Sequence, residues 1–157
     1  MANSAAICTS FKGELLTGSV HQFGSPTITS RTSLTSPTVD SFKMALYLAT
    51  GSQGAGTTAY SSSNEVSGTN YTAGGAAVTN ATVPTTSGTT AYWTPSANVT
   101  WSTVTLSTAF DCATLYNSSQ SNKAVAVFTF GSQTVTAGNF TLTMPTNDSS
   151  NALIRIA

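Results

Sequence analysis

The stretch FKMALYL, residues 42–48, is where the sequence declares its fold. Successive side chains of an extended chain point to opposite faces, so Phe42, Met44, Leu46 and Leu48 share one side and Lys43, Ala45 and Tyr47 the other. Apolar bulk on both sides predicts a strand partly covered on both faces. Further strands are expected at 75–83, 90–94, 98–107, 110–116, 123–130, 133–136, 139–144 and 152–156. In NVTWSTVTLS the inward phase slips between Val99/Trp101 and Val104/Leu106, and a β-bulge at Ser102–Thr103 keeps all four inside. The segments SSQSNK (118–123) and TAG (136–138) read as hairpin turns. Many short strands with turn signals about every ten residues predict a mainly β chain, built as a β-sandwich or barrel-like domain.

Upstream of Phe42 the period is nearer four. Ile7, Phe11 and Leu15 recur at that spacing, which predicts a short N-terminal helix over 4–17, capped by Asn3 or Ser4 and ended by Gly18. Gly13 weakens its interior by about 1 kcal/mol relative to Ala, so the helix needs packing to persist. The chain then divides into a helical arm, 1–18, and a single β domain, 19–157, with a polar excursion at 19–41 that contains Pro26 and Pro37. Ile7, Phe11 and Leu15 are the candidate interface, and the β domain is expected to fold without the arm.

A chain of 157 residues suits one domain. Charged residues make up 6%, against about 25% in typical domains, and Ser and Thr supply about a third of the chain instead. Five bases and five acids are scattered to a formal net charge of zero. That gives no footprint for nucleic acid or for an anionic membrane, and it removes the self-repulsion that keeps monomers apart. Self-association is the expectation. The start MANSAAICTSF has neither a basic opening nor the apolar core of a secretory signal, and no apolar run approaches the roughly 20 residues that span a bilayer. The chain is expected to be made and kept in the cytosol, with Cys8 and Cys112 as buried thiols. Asn-x-Ser/Thr triplets at Asn70, Asn80, Asn98, Asn117, Asn139 and Asn147 follow from the abundance of Ser and Thr.

The stretch NEVSGTNYTAGG (64–75) concentrates glycines around an acid and an aromatic. A phosphate cradle needs a helix N-terminus after the glycines, and here a strand pattern follows. A calcium loop needs several carboxylates, yet Glu65 is the only acid between Asp40 and Asp111. The reading that remains is a structural turn: Gly68, Gly74 and Gly75 provide backbone freedom, Glu65 accepts hydrogen bonds from the turn, and Tyr71 closes over the core. His21 is the only histidine and no nucleophile elbow accompanies it, so no catalytic residue, metal site or cofactor is assigned and the chain is read as a non-enzyme. Tyr92, Trp93 and Trp101 offer either a sugar platform or core filling, and core filling is preferred.

Taken together, MANSAAICTSFKGELLTG (1–18), FKMALYLAT (42–50), TTAYSSSNEVSGTNYTAGG (57–75) and TLYNSSQSNKAVAVFTFGSQTVTAGNFTLTMPTND (114–148) resemble a family of small virion structural proteins of tailed bacteriophages. The resemblance spans nearly the whole chain apart from 19–41. It implies a capsid-associated or tail-associated building block. A compact, neutral chain without a repetitive shaft favours a capsid decoration, or cement, protein on the capsid surface of the virion, with the major capsid protein lattice as partner. Symmetric positions on such a lattice suggest a homo-oligomer, with a trimer as the simplest guess. The alternative is a tail-fibre or receptor-binding head domain in which Tyr92 and Trp93 meet a host glycan.

Overall fold

The computed structural model describes residues 2–11, 15, 21, 23 and 39–157. Eight strands follow in chain order: β1 (Ala6–Ile7), β2 (Phe42–Leu48), β3 (Ala76–Val78), β4 (Thr85–Ser87), β5 (Thr90–Trp93), β6 (Val99–Asn117), β7 (Lys123–Leu142) and β8 (Ile154–Ile156). They form a five-stranded sheet, ordered β1-β7-β6-β2-β3, and a three-stranded sheet, ordered β4-β5-β8. Every pairing is antiparallel. The two sheets pack together as a β-sandwich-like domain. Where they meet, the Phe23 ring stacks on Phe42 of β2 at 4.7 Å and leans on Trp93 of β5 at 4.8 Å.

β2 lies between β6 and β3, and Phe42, Met44, Ala45, Leu46 and Tyr47 are all buried. That is the two-faced burial its alternation calls for. β6 and β7 are each far longer than the segments read from the sequence. The expected strands at 98–107 and 110–116 are one strand, and so are those at 123–130, 133–136 and 139–144. Bulges make this continuity possible. The register with β7 shifts between Trp101 and Val104, where Thr103 takes φ 51°, as the phase slip requires. Residues 136–138, expected to reverse the chain, form another bulge: Val135 pairs with Leu106 and Gly138 with Val104, while Ala137 takes φ 46°. A positive-φ residue serves either a turn or a bulge, and the long partner strand β6 selects the bulge. The true β6–β7 turn is at 118–122, where Ser121 and Asn122 have positive φ and the Gln120 amide bonds the Asn117 carbonyl.

The N-terminal segment keeps a short helix but not the expected extent of 4–17. Ile7 belongs to β1, which pairs with Val127 and Ala126 of β7, and only residues 9–11 and 15 of the described chain are helical. Three apolar residues at spacing four do not outweigh the unpaired backbone of a buried strand edge, which takes β1 as partner. Ile7, Phe11 and Leu15 therefore do not form one outward face. Ile7 is half-buried, Phe11 is fully buried in the core, and Leu15 is 39% exposed. The segment is also pinned through polar atoms: the Asn3 amide donates to Asp111 Oδ1 at 2.6 Å and to the Leu48 carbonyl at 3.0 Å, and its oxygen accepts from the Gln53 amide at 2.7 Å. A buried Phe contributes about 3 to 5 kcal/mol relative to Ala, so residues 2–11 are part of the domain's stability and not a detachable arm. The expected cap at Gly18, Gly13 and most of the polar excursion lie outside the described residues.

Candidate interaction surface

The turn 64–75 crosses the open side of β2 and β6. Val66 donates its amide to the Leu46 carbonyl, and Thr69 forms a bridge with Thr105 of β6. Glu65 is the hub of this loop. Its Oε1 accepts from the Tyr71 hydroxyl and the Gly74 amide, each at 2.8 Å, and its Oε2 accepts from the Tyr60 hydroxyl at 2.7 Å. The Tyr71 oxygen in turn accepts the Leu46 amide at 3.0 Å, and the Tyr116 hydroxyl donates to the Gly74 carbonyl at 2.7 Å. The structure thus brings Glu65, Tyr71 and Gly74 together, with Tyr60 and Tyr116 as members the sequence reading missed. The Glu65 oxygens are spent on internal donors. Burial, followed by the Glu65 hydrogen bond and charge, pushes the Tyr60 phenol up to about 12. Burial and the same charge push Tyr116 up to about 12. Tyr47 and Tyr71 are also raised, chiefly by burial.

The glycines of the loop are required by space as well as by angle. Gly74 and Gly75 have φ of 89° and 72°. A β-carbon on Gly75 would lie 1.8 Å from the Met44 carbonyl oxygen of β2, and one on Gly68 would lie 2.0 Å from the Thr105 carbonyl oxygen of β6. Gly74 is roomier, with the Tyr116 hydroxyl as its nearest neighbour at 3.3 Å. The loop runs against the edges of β2 and β6, and two glycines let its backbone approach theirs this closely.

The residues weighed for chemistry are occupied structurally. The Asn117 amide donates to Asp40 Oδ2 at 2.7 Å and lies 3.2 Å from His21 Nδ1, while Gln120 donates to Asp40 Oδ1 at 3.1 Å. The Phe11 ring lies 4.8 Å from the imidazole. Asp40 is thus linked to His21 through an amide, an acid connection that the sequence did not reveal. Asp148 accepts from the Asn151 side-chain amide, from the Thr146 hydroxyl and from the Ser150 and Asn151 backbone amides, and these bonds, the Asn151 side-chain one first, hold its carboxyl well below the usual range. Among the described residues no three His, Cys, Asp or Glu side chains gather where a metal ion would be held. Cys8 and Cys112 are buried, and burial pushes the Cys112 thiol up to about 12.

Trp93 is buried, and its indole donates to the Thr82 carbonyl at 2.9 Å, so it is part of the core; its neighbour Tyr92 is half-buried. Tyr92 and Trp93 help line an open apolar cleft of about 320 Å³, together with Phe11, Leu15, Phe23 and Val83. Several Asn side chains of the glycosylation-like triplets hold backbone. Asn70 donates to the Thr103 carbonyl, Asn139 accepts the Thr103 amide, Asn98 accepts the Met144 amide, and Asn117 is fully buried.

A second surface is the outer side of β7. β1 covers it only at Ala126 and Val127; among the described residues no strand pairs with that side from Phe128 to Leu142. Half-buried aromatics flank this edge. Phe130 and Phe140 lie 5.4 Å apart, Phe110 touches both, and Trp101 lies 5.9 Å from Phe140. The Trp101 indole N–H is buried without an acceptor, and nothing in the structure explains it. From Ala124 to Asn147 the sequence has no charged residue. Natural proteins commonly blunt a free edge with Lys or Pro, and neither occurs on this one. Among the described residues no helix is long and apolar enough to cross a membrane. Comparison of the chain with protein-family models, with curated proteins and with solved structures finds no match.

Proposed function

We propose that the chain is a virion structural protein of a tailed bacteriophage, a capsid decoration protein that binds the assembled head lattice and stabilises it. The observation that carries this reading is the uncharged outer side of β7, where an unpaired strand edge and half-exposed aromatics offer contacts to protein and nothing that selects an ion or a small polar substrate. The sequence resemblance to small virion proteins supplies the context. The Glu65 hub and the Asp40–Asn117 cluster serve internal hydrogen bonding, which fits a non-enzymatic role. Each bound copy favours the assembled state by mass action, and many identical weak contacts add across the lattice. The protein is made in the host cytoplasm and resides on the capsid surface. The tail-fibre alternative has less to work with, because Trp93 is core and leaves Tyr92 as the only accessible ring of the proposed glycan platform.

The test is to add purified protein to capsids that lack it and to pellet the particles. Saturable co-pelleting, together with capsids that withstand a higher temperature before they release DNA, is the expected result. Protein that stays in the supernatant at every concentration overturns the decoration reading.

A further inference from the structure

We propose that the chain cross-links itself, through an isopeptide bond between the Lys123 side chain and the Asn117 side-chain amide, with Asp40 as the proton carrier. The inference goes beyond the decoration reading and does not depend on it. Asn117 ends β6 and Lys123 begins β7, and the two are paired directly across the ladder. Opposite residues of an antiparallel pair leave the sheet on the same face, with β-carbons about 4.5 to 5.5 Å apart. The four-carbon stem of lysine is long enough to bring its amine over a neighbouring side chain at that separation. Phe42 of β2 is opposite Asn117 on its other side, so this is the face that Phe42 and Phe23 cover. Asn117 is fully buried there and Lys123 is half-buried.

The amide is held as a reacting group has to be held. The Ser119 backbone N–H donates to Asn117 Oδ1 at 3.1 Å, which polarises the carbonyl and marks where negative charge gathers during attack. Asp40, itself 7% exposed, accepts from Asn117 Nδ2 through Oδ2 at 2.7 Å, so a carboxylate touches the nitrogen that has to leave. Gln120 donates to Asp40 Oδ1 at 3.1 Å and fixes the carboxylate in that position. His21 Nδ1 lies 3.2 Å from the same Asn117 nitrogen. Hydrogen bonding alone accounts for an amide between Asp40 and Ser119; the lysine opposite it on the adjacent strand adds a nucleophile. The step balances without an outside reagent. The Lys123 ammonium passes one proton to Asp40, and the neutral Nζ attacks Asn117 Cγ, pushing the carbonyl electron pair onto Oδ1. Asp40 gives that proton to Nδ2 and takes a second from Nζ. The carbonyl re-forms, the Cγ–Nδ2 bond breaks, and ammonia departs with the remaining proton as ammonium. Nothing is oxidised or reduced. Each copy reacts once, which is self-modification and not turnover of a substrate, and the product staples β6 to β7 across the turn 118–122.

The experiment is intact-mass spectrometry of the full chain after denaturation, followed by trypsin digestion. Apart from any removal of Met1, the wild type is expected to weigh less than its sequence by one ammonia. It is also expected to resist cleavage after Lys123, because an acylated lysine is no longer a trypsin site. Lys123→Arg is expected to restore the full sequence mass and cleavage after position 123. That side chain is only half-buried and the variant keeps its positive charge, so the fold is retained. Asp40→Asn is expected to keep the β circular dichroism spectrum and to show the full mass. A wild type at full sequence mass, both freshly purified and after prolonged incubation, would overturn the inference. So would cleavage after Lys123 in the wild type. An ammonia loss that persists in Lys123→Arg would mark a succinimide at an asparagine and overturn it equally. A folded Asp40→Asn protein that carries the cross-link would overturn the role given to Asp40. If Asp40→Asn fails to fold, the comparison of wild type with Lys123→Arg decides the matter alone.

Discussion

Gly75→Val is expected to abolish soluble, folded protein. The substitution meets two obstacles at once. Its β-carbon would lie 1.8 Å from the Met44 carbonyl oxygen, and its φ of 72° is one that a β-branched residue rarely adopts. Met44 belongs to a strand that is buried on both faces and paired on both edges, so it has nowhere to move. Displacement of the loop would also break the Glu65 hub. The combined cost is expected to exceed about 4 kcal/mol, a large part of the roughly 5 to 15 kcal/mol by which domains are stable. Gly74→Val is the internal comparison. It shares the positive φ, but its nearest neighbour is a hydroxyl at 3.3 Å, and a loss of about 1 to 3 kcal/mol is expected. Thermal melts of the two variants check this order. A Gly75→Val protein that is soluble and melts with the wild type would remove the account of the loop.

Glu65→Ala is expected to lower the melting temperature by roughly 6 to 12 °C, from a loss of about 3 kcal/mol in a domain of this size. One carboxylate accepts three hydrogen bonds here, and its removal strands the Tyr60 and Tyr71 hydroxyls and the Gly74 amide together. Glu65→Gln is expected to lose less, because its oxygen still accepts while its amide nitrogen does not. The pH dependence gives a second readout. Tyr60 and Tyr116 have folded values near 12, raised from 10.0, so the folded state holds their protons more tightly than the unfolded state does. Their contribution is whole below pH 10 and is lost as pH rises through about 12. Removal of the Glu65 charge takes away part of that shift and leaves the part due to burial. The alkaline loss of stability in Glu65→Gln is therefore expected to be shallower than in the wild type, as urea titrations between pH 9 and pH 12 would show. Equal alkaline slopes would mean that the tyrosines do not sense Glu65.

The parts of this fold that were legible in the sequence are those governed by local chemistry. Alternation in FKMALYL declares a two-faced strand, and the slip between Trp101 and Val104 declares a bulge, because each depends on which side neighbouring residues face. The loop 64–75 was legible for a related reason: consecutive glycines beside a lone acid have few structural uses other than a turn around a carboxylate. Readings failed where the deciding partner is remote. Whether Ile7 joins a helix or a strand depends on the edge of β7, which is far away in sequence. Whether residues 136–138 reverse the chain or merely bend it depends on the length of β6. Tyr60 could not be placed on Glu65 from spacing alone, since its approach needs the bridge that ties Ala59 to Lys123.

The role proposed for this chain is that of a building block of a phage particle. The most direct measurement is a cryo-electron microscopy reconstruction of the phage virion, with the two-sheet domain fitted into unassigned density. The account predicts that the domain fits density on the outer surface of the head, at repeated lattice positions and seated on the major capsid protein. Density for this domain that is confined to the tail, or a complete virion with none at all, would contradict it.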